Sequence, residues 1–405
     1  MITTHTSPAS STADRFEQVD VVVVGARCAG AATAMLLAER GVDVLVLDRA
    51  EFPSDTLSTH AIARTGVVQL HRWGLLDEVL DSGAPALRQV EFHSPDGTIR
   101  RTIKDRHGVD LLVAPRRHVL DPILQSAASR SGARIVTGVT VDATRHDALG
   151  RATGVDAHDA DGRRVTVEAR LVVGADGLRS RIARSVGARV VEHHHPSGAA
   201  HYIHVEGDWP AMEYHLGDRM FAGVFPTHGG EACIWVCSPA ETALEHRRSH
   251  PTVDSAFDAM LRATSPELAD RIDPTARRST ARGMIGLPNH LRAAVGRGWA
   301  LVGDAGYHRD ATTGHGISDA FRDAELLADA AAAVLCDGID ESTALADYEL
   351  RRNELLREIF DITCEMSAFP TSSRFVELQK QLSDAIDAQA GLLAARPAPL
   401  VLTPA

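Results

Sequence analysis

The chain has 405 residues, 44% of them apolar, and a formal net charge of −12. That length holds two or three substructures with cores of their own, and the acidic balance, without any basic stretch carrying interleaved aromatics, speaks against a nucleic-acid partner. No uninterrupted apolar run reaches the roughly 20 residues of a membrane helix, so a cytoplasmic protein without membrane insertion is expected.

Met1 to Arg15 is polar and Ser/Thr-rich, lacks the apolar centre of a signal peptide, and reads as a disordered lead. The stretch that organises the chain follows. Asp20-Val21-Val22-Val23-Val24 is a β-branched run of the kind a buried parallel strand needs, and it ends at Gly25. Ala31 to Arg40 is Ala- and Leu-rich and reads helical, and Val42 to Leu47 is a second apolar run closing on Asp48. Strand, glycine turn (Gly25, Ala29, Gly30), helix, strand and terminal acid form a dinucleotide-binding fingerprint. The turn brings backbone N–H groups at a helix N-terminus to a pyrophosphate, and Asp48, followed by Arg49, is placed to accept hydrogen bonds from a ribose. Arg27 stands where the second glycine belongs, so it either turns away as a surface arginine or offers its charge to the phosphate.

Arg49 to His60 is a long polar loop leaving the second strand beside the ligand. Ala61 to Leu80 reads helical, and Val90–His93 with Thr98–Lys104 reads as a hairpin about Pro95-Asp96-Gly97. A further helix opens at Arg116-Arg117, with Leu120 and Leu124 on one face. Arg117 at its start either reaches back to the ligand or faces solvent. Arg134–Val136, Thr140–Ala143, Gly154–Asp159 and Arg164–Glu168 read as a meander laid over the nucleotide fold. Leu171 to Gly174 is again a buried strand, running into the turn Asp176-Gly177, and a helix follows from Ser180 to Gly187.

From about residue 188 to 287 the pattern turns to strands (201–205, 212–215, 220–226, 232–236) that form an antiparallel sheet, with helices over 252–263 and 266–272. Tyr202 and His204 share one face, as do Phe221 and Phe225. With Trp235 they form either an apolar wall for an aromatic or polycyclic substrate or ordinary core. Cys28, Cys233, Cys237, Cys336 and Cys364 read as free thiols of a reducing compartment. His193-His194-His195 reads as a solvated loop, and neither a metal cluster nor a nucleophilic triad is expected.

A third buried strand ends at Gly303-Asp304, and a helix begins near Gly316 and runs to about Cys336. Three strand ends, near residues 25, 175 and 304, converge on a ligand in an open α/β sheet. Contacts spread that widely suit an extended ligand. Gly314-His315-Gly316-Ile317 puts free N–H groups and the positive helix end toward it. His308, Asp310 and His315 are candidates for proton transfer or substrate hydrogen bonding, or residues that only shape the loop. Helices over 344–367 and 373–390 and a Pro/Ala-rich end complete the chain.

The glycine-rich βαβ unit, Asp176-Gly177 and Gly303-Asp304, in that order, resemble the FAD-dependent monooxygenases of the para-hydroxybenzoate hydroxylase type over roughly Val19 to Val334. The resemblance implies an α/β fold with an FAD-binding Rossmann-like domain (16–187 and 291–340, with a hairpin insertion near 88–110), an interleaved β-sheet substrate domain (188–290) and C-terminal helices (341–395) before a tail (396–405). It implies extended FAD, the adenosine end near Asp48 and the ring near 304–318. Asp304 would then hold ribityl hydroxyls, Asp176-Gly177 would serve FAD and NAD(P)H, and Arg117, in R-x-x-L-x-x-x-L, would contact the flavin. The implied reaction is hydroxylation of a small aromatic or polycyclic molecule with NAD(P)H and O2. This chain departs from the family where Tyr307 replaces a His and Ala311 a Pro.

Rival readings stay open. Gly223-Val224-Phe225-Pro226 resembles a pocket motif of geranylgeranyl reductases, which saturate double bonds. A flavin halogenase would carry W-x-W-x-I-P, but Trp235 is the sole tryptophan of that stretch, and no lysine precedes Lys104. A plain NAD-dependent dehydrogenase or methyl transferase leaves Gly303-Asp304 unexplained, and a non-catalytic flavin-binding module would bind FAD without turnover. Oligomeric state, a homodimer included, stays open.

Overall fold

The computed structural model describes residues 15–94 and 97–397. Most of the expected lead, two residues of the hairpin turn and the last eight residues lie outside that range. Two eight-stranded sheets carry the described fold. In the first, Arg15–Val24 runs parallel to Val44–Leu47 on one side and to Arg164–Gly174 on the other. Trp299–Leu301 and Arg134–Val136 extend it in parallel at the two flanks. Val21, Val22 and Val23 are fully buried because both faces of the sheet are covered, Val21 and Val23 packing on the helices and Val22 among Val141, Val155 and Ile182, as a continuous β-branched run requires.

The central strand begins at Arg15, which pairs with Val165, so it starts earlier than the valine run suggests. The expected meander divides. Arg134–Val136 joins the parallel sheet, because the helix Arg117–Arg130 carries the chain back as a crossover. Thr140–His146 and Ala152–His158 form an antiparallel flap on Arg164–Gly174. The helix expected over Ala61 to Leu80 is two, Arg64–Arg72 and Leu76–Asp81, parted at Gly74 with φ of 68°.

The second sheet is built around one long strand, Val190–Glu206. It pairs antiparallel with Glu231–Pro239 and with Arg282–Arg292. His193, His194 and His195 belong to this strand and are exposed, so the loop expected there is a strand, set by the pairing of His193 with His290 and His194 with Asn289 and not by any local alternation. The hairpin Gln89–Ser94 with Gly97–Thr102 joins this sheet, through a parallel pairing with Met212–Leu216.

One face of the second sheet packs Phe221, Phe225 and Trp235 against Ile359, Ile362 and Met366 of the helix Glu341–Met366 and Phe375 and Leu378 of the helix Ser372–Ala394. The other face packs Ile203, Val224 and Ile234 on the helix Val253–Thr264. That helix is opened by a reciprocal cap between Thr252 and Ser255. Gly223 lets the Trp235 ring cross its strand, since a Cβ there would stand 2.3 Å from the indole. Trp235 touches the rings of Tyr214, Phe221 and Phe225 at centroid distances of 5.1–6.0 Å. Trp235→Ala should therefore lower unfolding free energy by about 3–5 kcal/mol, the cost of emptying a packed aromatic site. Urea unfolding checks this, and a change below about 1 kcal/mol would identify an open pocket wall instead.

Candidate cofactor site

The three strand ends meet. Gly25 N–H donates to Leu47 O, Ala175 N–H to Val24 O and Val302 N–H to Gly174 O. Gly25 has φ of 107°, and a Cβ on it would lie 2.4 Å from Ala175 O; one on Gly30 would lie 1.7 Å from Gly25 O. A Cβ on Gly303 would come within 3.1 Å of the Ala29 methyl. The turn of the first strand, the start of the helix Cys28–Ala38 and the Gly303 turn thus pack backbone on backbone.

Around this junction the charged side chains are paired in ways spacing did not reveal. Asp48 accepts from the N–H groups of Ala26 (2.7 Å) and Ala50 (2.8 Å), bracing the glycine turn from below; its remaining lone pairs can serve a hydroxyl. Arg49 is exposed. Arg27 is neither a surface residue nor alone: it bonds Asp121 at 2.6 Å and Ser54 Oγ at 3.0 Å, with its guanidinium 5.1 Å from the centre of the Phe52 ring. Arg117 is buried and joins the same carboxylate from the other side. Burial opposes its charge, but Cys28 and Asp121 hold its pKa above the usual value. Two guanidiniums share one carboxylate beside a helix N-terminus, leaving a positive surplus suited to a pyrophosphate. The signal for Asp121 was its i+4 spacing from Arg117.

Asp176 caps the helix Arg181–Ser185, accepting from Ser180 Oγ (2.5 Å) and Arg181 N–H (2.6 Å). Gly177 beside it has φ of 75°, with nothing within 4 Å of where a Cβ would stand. Asp304 differs from the other acids here: among the described residues no hydrogen bond to it is found. It is exposed yet crowded by protein, and that crowding raises its pKa against the pull of His308, Arg117 and Arg309. Gly314, at φ of 65°, and Gly316 also face open space. The helix Gly316–Leu335, with Ile317 in its first turn, has no side-chain cap on its leading N–H groups, so they remain available to a ligand. An unpartnered carboxylate, three glycines facing open space and an uncapped helix start are what an extended, hydroxyl-rich anionic cofactor needs. The residues fit FAD.

Behind that floor lies a buried charge network. Arg322 bonds Asp319 (3.0 Å), Asp323 (2.8 Å) and the Tyr307 hydroxyl (2.6 Å), and Asp323 accepts from Gly303 N–H (3.2 Å). Arg309 pairs with Asp319 as well. Burial disfavours the charge on Asp319, but Arg309 and Arg322 hold its pKa down. Tyr307, at the family's His position, thus belongs to the scaffold. These charges sit in an Ala- and Leu-rich helix, where their presence was the available signal.

The candidates His308, Asp310 and His315 are not linked to one another by hydrogen bonds among the described residues. His308 Nδ1 meets Pro288 O at 2.6 Å. Asp310 caps the turn Ala311–Thr313 and receives Thr312 N–H. His315 Nδ1 meets Thr313 O at 2.6 Å, while its Nε2 is buried without a partner. On the second sheet, Phe221, Phe225 and Trp235 are buried in one core cluster with Tyr202, whose ring also meets His60 of the polar loop edge-on, and His204 bonds His60.

Two outcomes follow. Asp304→Ala should leave thermal unfolding unchanged and weaken FAD binding by about 10–100-fold, the worth of charged hydrogen bonds, read by titrating apoprotein with FAD. Burial lowers His315, His204 and His290 from 6.5 to about 4. Between those values the unfolded chain binds protons that the folded one refuses, so stability is full above pH ~6.5 and falls as pH drops toward ~4, by on the order of 1–3 kcal/mol per ring. Denaturant midpoints across that window check the slope.

Comparison with known proteins agrees with this geometry. The sequence family described as FAD binding domain matches residues 18–363. Among curated relatives, menaquinone reductase of Mycobacterium tuberculosis is 27% identical over 331 residues, covering 74% of this chain and 73% of its own. Ubiquinone hydroxylase UbiL of Rhodospirillum rubrum is 28% identical over 388 residues, covering 87% and 81%. Among solved structures, PqsL of Pseudomonas aeruginosa in complex with 2-aminobenzoylacetate superposes with a TM-score of 0.75 at 22% identity, over 92% of this chain and all of that one. The flavin-dependent brominase Bmp2 gives 0.76 at 19% identity, over 92% and 93%.

Proposed function

This chain belongs to the FAD-binding monooxygenase family and is a flavin-dependent oxidoreductase, and on that premise we propose that it hydroxylates a small aromatic or polycyclic molecule with NAD(P)H and O2. The observation that carries the reading is the cradle from Gly25 past Asp304 to Gly316, closed by an uncapped helix start. Flavin, when bound, supplies electron transfer from the nicotinamide and activation of oxygen.

The chain's own residues do the rest. Arg27, Arg117 and the start of the helix Cys28–Ala38 bind the diphosphate, with Asp121 fixing both arginines. Asp48 takes the ribose and Asp304 the ribityl hydroxyls. The start of the helix Gly316–Leu335 offers N–H groups and a positive dipole end to the pyrimidine edge, where negative charge gathers on reduction. A nicotinamide nucleotide would visit transiently, past the open turn at Gly177, since the described fold holds one glycine-rich nucleotide unit. Support for an oxygenated ring substrate comes from the ubiquinone hydroxylase relative and from the 2-aminobenzoylacetate complex of PqsL.

Reduction of a carbon–carbon double bond is the second reading, favoured by the menaquinone reductase relative and by Gly223-Val224-Phe225-Pro226. Halogenation is disfavoured, because the chain has no lysine before Lys104 and only Trp235 in the expected tryptophan motif.

Purified protein mixed with FAD and desalted should retain a flavin spectrum and oxidise NAD(P)H with a matching uptake of O2 when its substrate is present. Substrate-dependent NAD(P)H oxidation of equal extent without oxygen would replace hydroxylation by the reductase reading. A colourless product would overturn both.

A further inference from the structure

Glu91-Phe92-His93 and Glu213-Tyr214-His215 repeat one pattern in two distant parts of the chain. The parallel pairing of Gln89–Ser94 with Met212–Leu216 sets them side by side in register, Glu91 opposite Glu213, Phe92 opposite Tyr214 and His93 opposite His215. Successive residues point to opposite faces of a strand. The Phe92 and Tyr214 rings stack on one face, centroids 5.3 Å apart, and the two glutamates and two histidines crowd together on the other. None of the four belongs to the cofactor site.

On that face His215 Nε2 lies 3.0 Å from Glu213 Oε2. His93 Nε2 lies 3.6 Å from the same oxygen and 3.4 Å from Glu91 Oε2. Glu91, Glu213 and His215 are buried, and the His93 Nε2 atom is buried without a hydrogen-bond partner. The far nitrogen of each ring is held by a hydroxyl, His93 Nδ1 by Thr98 and His215 Nδ1 by Ser265, both at 3.0 Å. A hydroxyl accepts as well as it donates, so both rings can carry their proton on Nδ1 and present an Nε2 lone pair inward. Histidine ligands of metals are oriented from behind in this way.

Two carboxylates directly opposite each other on neighbouring strands repel. Arg271 pairs with Glu213 at 2.6 and 2.9 Å and Arg100 with Glu91 at 2.8 Å. Both arginines come from the solvent side, their side chains 40% and 75% exposed, and an ionised carboxylate keeps further lone pairs for a second cation. We propose that Glu91, His93, Glu213 and His215 bind one zinc ion. Ligand atoms about 2.0–2.2 Å from a tetrahedral zinc stand about 3.3–3.6 Å from one another, close to the spacing these nitrogens and oxygens have. The His93 and His215 rings stand stacked, with planes 6° and centroids 4.3 Å apart, so the ion turns each about its Cβ–Cγ bond until the two lone pairs converge. Four protein ligands leave no position for water or substrate, which makes the site structural. Its role is to clamp the hairpin to a sheet that it joins through four residue pairs. The proposal is independent of the flavin reaction.

The test uses FAD-loaded protein freed of metal by a chelator and dialysis. Titrated with zinc chloride against a zinc-binding dye, it should take up one equivalent and unfold at a higher temperature. His93→Gln and Glu91→Gln should weaken zinc binding by about 100-fold, and Thr98→Val, which only releases the back of His93, by about 10-fold. Thr98 is exposed and His93 half-buried, so these variants leave the core untouched, and flavin absorbance reports in the same samples that FAD is retained. Cobalt(II) in place of zinc should give the strong d–d absorption of a four-coordinate site, at wavelengths beyond the flavin bands, and His93→Gln should abolish it. Absence of zinc uptake by the folded protein overturns the proposal, as does uptake that His93→Gln and Glu91→Gln leave unchanged. Uptake lost instead in His204→Gln also overturns it, and assigns the ion to His60, His204 and Cys233, whose donor atoms lie within 4.8 Å of one another.

Discussion

Backbone lies directly on backbone where Gly25 meets Ala175 and Gly30 meets Gly25, and the cofactor site depends on that contact. Any side chain there would occupy space already taken by carbonyl oxygens at 2.4 and 1.7 Å. The contact brings the ends of three parallel strands into one place and points the helix Cys28–Ala38 at the same spot. Asp48 braces it by accepting the Ala26 N–H.

The second support is electrostatic. The helix that presents Gly314 and Gly316 buries Asp319, Arg322 and Asp323 in its first two turns. Isolated, such charges would cost several kcal/mol each. Here each meets an opposite charge, the Tyr307 hydroxyl or the Gly303 N–H, so the network fixes the turn carrying Asp304. Asp304 alone among these acids keeps its carboxylate free of protein hydrogen bonds among the described residues. The scaffold spends its buried charge on holding one unpartnered group in position.

The second sheet combines two unlike functions on one face. Phe221, Phe225 and Trp235 are packed against the C-terminal helices and serve cohesion. Tyr202 and His204, on the same face of the neighbouring long strand, meet the loop that leaves the nucleotide unit at His60. The face therefore passes from apolar core to a polar contact between His204 and His60, with Tyr202 belonging to both.

Local chemistry made much of this legible in the sequence. Val21 to Val24 before Gly25, the acid at 48, the Asp176 and Asp304 turns and the helix start at Gly316 all depend on neighbours within a few residues, and their order identified the family and the fold class. What the linear chain withheld depends on partners far along it. Arg27 could not be assigned because Asp121 lies 94 residues away; His193 and His194 form strand because His290 and Asn289 pair with them; and His60 meets His204 across 144 residues. The sequence by itself determined which segments are strand, turn and helix and that they cradle an extended anionic cofactor, since propensity and backbone geometry act locally. Which charged side chains are paired, which aromatic residues are core and which polar atoms are left waiting for a ligand were decided only by the tertiary structure, because burial and partnership belong to the packed chain and not to any stretch of it.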